Sequence, residues 1–205
     1  MQNLKPKDAV KFTEEEIRNI DILFKNNPEK SGTDLWKEDG PNQEYVKIKK
    51  HIREHYLELQ HVRCVFCERV LVYGDVQIEH FAPKGRHRRF LYEPLNLTCS
   101  CTVCNNFSNK GAKDTINGNE EPLYRDNSFK YVHPFLHDVD EHIKYRGLFN
   151  LFIDYERSSD IGKATIKMFH WDTTSATKRR FANLLYWSTD KQRRKMISEI
   201  LNYED

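Results

Sequence analysis

Two cysteine pairs of identical spacing, Cys64-x-x-Cys67 and Cys101-x-x-Cys104, constrain this chain more than any other feature in it. A CxxC turn presents two thiolates to one ion with little strain. Two such turns supply the four sulfur ligands of a tetrahedral zinc, each at about 2.3 Å. Four protein ligands leave no open position, so the expected zinc is structural rather than catalytic. The 33 residues from 68 to 100 exceed the usual gap of a zinc ribbon, so an insertion must lie between the knuckles. Cys99 falls outside the spacing and reads as a small hydrophobe beneath the second knuckle.

Zinc ligation needs reduced thiols. No stretch approaches the length of a transmembrane helix, and the opening MQNLKPKDAVKF lacks the apolar core of a secretory signal. The expectation is therefore a cytoplasmic protein that engages no membrane, in a compartment that keeps cysteines unpaired and steers them towards metal. The formal net charge of +2 over 205 residues singles out no partner class. Local charge is more informative. Lys84, Arg86, Arg88 and Arg89 crowd into one loop and are expected to meet phosphates. The clusters Arg179-Arg180 and Arg193-Arg194-Lys195 read as solvated faces.

The rest of the chain divides around the knuckles into an α+β arrangement. Residues 1–62 are expected to be helical, 63–115 to form the core with the zinc, and 116–205 to be an α/β extension ending in helix. Thr13 with Glu16 forms a capping box ahead of Ile17, Ile20, Leu23 and Phe24, which predicts a short helix. SGTDLWKEDGPN reads as loop. Tyr45, Ile48, Ile52, Tyr56 and Leu59 then mark the apolar stripe of a longer helix. Val70–Tyr73 and Val76–Glu79 flank Gly74-Asp75 as an expected hairpin. The second cysteine pair should open a short helix, and Asn117 to Asn127 is turn-rich. Residues 144–153 and 164–169 read as two strands, and Ser175 to Tyr203 as helix with a break near Ser188-Thr189.

The insertion carries the residues that chemistry would need. Phosphodiester hydrolysis wants a hard cation held by carboxylate or amide oxygens, and a base that works near neutral pH. Glu79 offers the first oxygen and Asn105 a second, His80 suits the base, and Asn96 suits an orienting role on the backbone near His80. Neighbours on a strand point to opposite sides, so curvature must bring Glu79 and His80 to one phosphate.

CVFCE, then IEHFAPK, then NLTCSCTVCN followed by Lys110-Gly111 together resemble an HNH (ββα-metal) endonuclease of the cysteine-bearing kind. The resemblance implies a zinc-stapled ββα-metal core, with His80 as general base and Glu79 as the acidic ligand of a catalytic Mg2+ or Mn2+. It makes Asn96 the middle N, Asn105 the third position, and Lys110 a further substrate contact beside the basic loop. Lys110 lies five residues after Asn105, where the family has lysine three after its third position. That offset leaves Asn106 or Asn109 as rival ligands, Asn109 the more serious. Over residues 45–155 the chain is similar to a narrower group, the HNH effector subunits of Septu and retron anti-phage systems. That likeness implies a nucleic-acid substrate, with DNA favoured, and an ATPase partner. A non-catalytic zinc adaptor for nucleic acid or protein is the alternative; it accounts for the cysteines and leaves Glu79, His80 and Asn96 without a role. His133, His137 and His142 allow ligation by spacing, but Asp138, Asp140 and Glu141 among them read as a helix start, so they are taken as structural. His87 reads as a solvated loop residue, and Trp36, Trp171 and Trp187 as core or interface.

Overall fold

The computed structural model describes residues 1–72, 74–117, 124, 128–147 and 149–201, with the backbone alone at 187 and 196–201. Helix α1 spans Glu14–Asn26 and starts on the capping box, with Thr13 and Glu16 exchanging side-chain-to-backbone hydrogen bonds. Helix α3 spans Glu44–Leu59 and buries Tyr45, Ile48, Ile52 and Tyr56 as one stripe. Between them the expected loop contains a helix, α2, over Gly32–Lys37. The Ser31 side chain caps it by accepting from Asp34 N, and Leu35 anchors it in the core. Six residues are too few to display a helical period, which is why the pattern read as loop. A Cβ on Gly32 would lie 2.1 Å from the Lys84 carbonyl oxygen, so only glycine lets α2 approach the 84–88 loop this closely.

Strand β1 spans Val76–His80 and β2 spans Leu97–Cys101, paired antiparallel from Val76 opposite Cys101 to His80 opposite Leu97. The expected hairpin is thereby corrected. The partner of β1 is not the segment before Gly74 but a strand at the far end of the insertion. Val70 makes only an isolated bridge to Arg63, and Tyr73 lies outside the described residues. Every residue of β2 is buried, so it needs neighbours on both faces, and α3 packs against it. Gln60, just past α3, braces the backbone of β2: its amide donates to Cys99 O at 2.7 Å and accepts from Cys99 N at 2.7 Å. After β2 the helix expected from the second knuckle is absent; residues 102–112 run in turns and bends.

Downstream, α4 spans Val139–His142, and β3 (Lys144–Arg146) pairs antiparallel with β4 (Phe152–Asp154). The second expected strand, 164–169, is instead part of α5, Asp160–Phe169. Ser159 caps that helix, and Thr165, Ile166, Met168 and Phe169 are buried at helical spacing, a period hidden in so short a window. Helices α6 (Thr174–Trp187) and α7 (Asp190–Leu201) follow, interrupted at Ser188-Thr189. The side chains of Trp187, Ile197, Ile200 and Leu201, and most of Asn117–Asn127, lie outside the described residues. The architecture is α+β, with one core that runs from Leu4 to Ala176. No helix among the described residues is long and apolar enough to cross a membrane.

Candidate active site and metal centre

The register of β1 with β2 separates two sites. Cys101 ends β2 beside Val76, and Leu97 starts it beside His80. Four steps of about 3.4 Å put roughly 14 Å of strand between the cysteine end and the histidine end.

At the cysteine end, the sulfurs of Cys64, Cys67, Cys101 and Cys104 all lie within 4.8 Å of one another. The Cys67 and Cys101 sulfurs are 3.8 Å apart, which matches the edge of a tetrahedron whose centre-to-sulfur distance is about 2.3 Å. Backbone amides point at the sulfurs, from Cys101 N to Cys64 Sγ at 3.3 Å and from Cys104 N to Cys101 Sγ at 3.4 Å. Such donors stabilise thiolates. Asp75 ties the knuckles together: it pairs with Arg69 beyond the first and accepts from Thr102 N, inside the second, at 2.9 Å. The donor set fits zinc. Cys99 is outside the cluster, and burial pushes its thiol up to about 12, which keeps it neutral.

At the opposite end, β1 stops at His80 and the chain bends, so Glu79 and His80 both line one cleft of about 350 Å³. Lys84 and Arg86 line it from the basic loop, Asn105, Lys110 and Gly111 from the turns after the second knuckle, and Thr33 from α2. The His80 ring is buried. Its Nε2 lies 3.1 Å from the Leu91 carbonyl, which can only accept, so the proton sits on Nε2 and Nδ1 keeps its lone pair. Nδ1 has no hydrogen-bond partner. Burial, and then the positive charges of Lys84 and Lys110, hold His80 well below the ordinary histidine range. Trp36 of α2 meets the imidazole edge to face at 4.5 Å.

Glu79 and Lys110 are 2% and 1% exposed, and Lys110 Nζ stands 2.6 Å from Glu79 Oε1. The contact is a buried ion pair, so the carboxylate has a charged partner inside the protein. Burial raises the Glu79 carboxyl, opposed by Lys110 and Lys84. Lys110 also donates to His80 O at 2.6 Å, so its ammonium faces the acid and the strand end rather than solvent. Lys84, more than half buried, is lowered by desolvation and held up in part by Glu79.

Asn96 is fully buried and makes four hydrogen bonds. Its Oδ1 accepts from Ala82 N at 2.6 Å and from the Tyr124 hydroxyl at 2.7 Å. Its Nδ2 donates to Ala82 O at 3.1 Å and Phe90 O at 2.8 Å. The residue thus closes the loop that carries Leu91 O to His80. Asn105 donates from Nδ2 to Gln77 Oε1 at 2.8 Å, leaving Oδ1 as the acceptor atom of that amide. Asn109 turns its amide onto Val103 O at 2.8 Å and does not line the cleft.

Of the cations expected to contact phosphate, the cleft gathers Lys84, Arg86 and Lys110. Arg88 is placed elsewhere: it donates to Asn27 O at 3.0 Å at the end of α1 and stacks on Phe24. Arg89 lies over the Phe90 ring. His87 is not a free loop residue but is paired with Asp114 at 2.8 Å. His133, His137 and His142 form no metal cluster among the described residues. His133 instead meets the Tyr124 hydroxyl at 2.9 Å, supporting Asn96 from behind, and Asp138 caps α4. Gln77, Gln60 and Tyr124 were not among the residues the sequence marked for the site, and Trp36, read as core or interface, packs on the His80 ring. Gln77 lies two before Glu79 on the same strand, the one signal that was available for it.

A segment of 125 residues, 60% of this chain, is 29% identical to the Septu protein PtuB of Bacillus thuringiensis and spans 41% of that protein's length. No protein-family profile matches the chain, and no solved structure matches it.

Proposed function

We propose that the chain is a metal-dependent HNH endonuclease that hydrolyses phosphodiester bonds, with DNA the favoured substrate. The observation that carries this reading is a buried carboxylate, Glu79, beside a buried imidazole, His80, whose Nδ1 has no hydrogen-bond partner, both lining one cation-rimmed cleft. Buried acceptors without donors cost about 1–3 kcal/mol each and persist where a ligand satisfies them. His80 Nδ1 takes the proton from a water in the cleft, and the resulting hydroxide attacks phosphorus in line as the 3′ oxygen departs. Lys84 and Arg86 bind the flanking phosphates. Asn96 keeps the imidazole oriented through the 82–90 loop, and Leu91 O keeps the proton on Nε2. Glu79 and Asn105 Oδ1 are hard oxygen donors of the kind Mg2+ or Mn2+ takes, and such an ion would supply charge stabilisation to the phosphorane and the leaving oxygen. Zinc on the four cysteines fixes the distal end of the same ladder, in a ββα-metal core whose third element is here a run of turns.

The partial match to a Septu protein supports a role in anti-phage defence, and the resemblance to Septu and retron effector subunits implies an ATPase partner for it. The test is cleavage of plasmid DNA and of RNA by the chain, alone and with any ATPase that co-purifies with it, in Mg2+ and Mn2+. His80→Ala should abolish cleavage and leave zinc content unchanged; cleavage that survives the substitution sinks the assignment. One observation favours the non-catalytic adaptor: Glu79 already has a counter-charge in Lys110. Nucleic-acid binding without cleavage under every one of those conditions would select it.

A further inference from the structure

Lys110 is the one cleft residue whose place the proposed chemistry leaves unexplained. A lysine meant for phosphate would extend its ammonium towards solvent. Here the side chain is 1% exposed and its Nζ lies between Glu79 Oε1 at 2.6 Å and His80 O at 2.6 Å. Gly111 O, at 3.3 Å, completes the cage. These are three oxygens around one positive charge, on the carboxylate that the nuclease reading assigns to a divalent ion. An ammonium and a divalent cation cannot share that oxygen, because their mutual repulsion at about 4 Å would be several kcal/mol at the effective dielectric of a partly buried site.

We propose that Lys110 is the resident cation of Glu79, and that a divalent ion gains the carboxylate only by displacing the Lys110 ammonium. The inference rests on the reading of Glu79 as a metal ligand. Its consequence is a carboxylate that is neutralised at rest and binds metal weakly. An incoming phosphate offers the released ammonium a new partner, so substrate and metal help each other in. The turn that carries Lys110 makes the exchange local: Lys110 is followed by Gly111 at a positive φ of 45°, at the cleft wall, and no helix has to move.

The test is Mn2+ binding to the full zinc-loaded chain, read from the electron paramagnetic resonance of free Mn2+, with no substrate and no activity involved. Lys110→Gln removes the charge and keeps a donor for His80 O; it should tighten Mn2+ binding by at least about tenfold. Lys110→Arg keeps the charge and should leave binding weak, as in the parent. Equal or weaker Mn2+ binding by Lys110→Gln, with zinc content and circular dichroism intact, overturns the displacement. Glu79→Gln should lose the Mn2+ site in either background. If it does not, the ligand reading of Glu79 fails, and the inference falls with it for that separate reason. Should Lys110→Gln not fold, the parent chain decides: the Lys110 Nζ resonance in 15N-lysine-labelled protein should lose its caged position on saturation with Mg2+, and a resonance that stays in place overturns the proposal.

Discussion

The two ends of the β1–β2 ladder solve opposite problems with similar means. At the cysteine end, four identical candidate ligands come from two copies of one turn, backbone amides support the sulfurs, and the four together would close the shell of a tetrahedral zinc. At the cleft end, unlike groups come from α2, β1, the basic loop and the turns after β2, and the His80 Nδ1 acceptor is left without a donor. The first arrangement is chemically redundant and suited to holding. The second is asymmetric and incompletely satisfied, which suits it to reacting. Rigid strand connects them, so whatever loosens the knuckles also loosens the cleft.

The largest effect that would break this contrast is removal of zinc. Chelation, or Cys101→Ser, should cost the cooperative fold around both knuckles, since structural zinc binding is worth about 10 kcal/mol or more of folding free energy. Loss of near-ultraviolet dichroism together with zinc is expected; an unchanged melting transition in metal-free protein would show that the cysteine end is not the frame.

Next comes the buried amide behind the cleft. Asn96→Ala strands Ala82 N, takes a donor from Ala82 O and Phe90 O and removes the acceptor of the Tyr124 hydroxyl, and should destabilise the chain by about 3–5 kcal/mol in urea unfolding. Tyr124→Phe removes two bonds of the same network, to Asn96 Oδ1 and His133 Nε2, and should cost about 1–3 kcal/mol.

Acidity gives a third probe. Burial lowers both His80 and His133 well below 6.5, so each is neutral in the fold and takes up a proton more readily when unfolded. The unfolded chain then binds more protons below pH 6.5, and stability should be full above that value and fall as pH drops through the depressed pKa values. Glu79, raised by burial, works in the opposite direction above 4.5, so a His80→Ala/His133→Phe pair should flatten the acid loss rather than reverse it. Cleavage governed by His80 should stay level down to at least pH 6.5; an acid limb centred above that would assign the base elsewhere.

The smallest effects separate cations that lie side by side in the chain. Arg86→Ala should weaken nucleic-acid binding and reduce its salt slope by about one, with stability unchanged. Arg88→Ala should leave binding alone and cost about 1 kcal/mol, because its guanidinium caps α1. If the two substitutions behave alike, the division between cleft and scaffold cations is wrong.

Much of this was legible before any fold was known. CxxC spacing is a statement about neighbours three residues apart, and the knuckles close as that spacing requires. Thr13 with Glu16 and the α3 stripe are equally local. The Glu79-His80 pair was conspicuous because of where it stood, between two knuckles. The elements misread were those whose identity depends on distant chain or on too short a window: the hairpin before β1, the helix at Gly32–Lys37, and the helical turn hidden in 164–169.

The residue types of the cleft and its zinc frame were therefore determined by the sequence itself, since ligand chemistry is a property of side chains and spacings. Only the tertiary structure decided that β1 pairs with β2, that Asn105 rather than Asn109 reaches the cleft, and that Arg88 leaves it. It also decided that Lys110 faces Glu79. Each of these is a choice among chemically equal candidates, made by which long-range packing buries the most apolar surface and leaves the fewest polar groups unpaired.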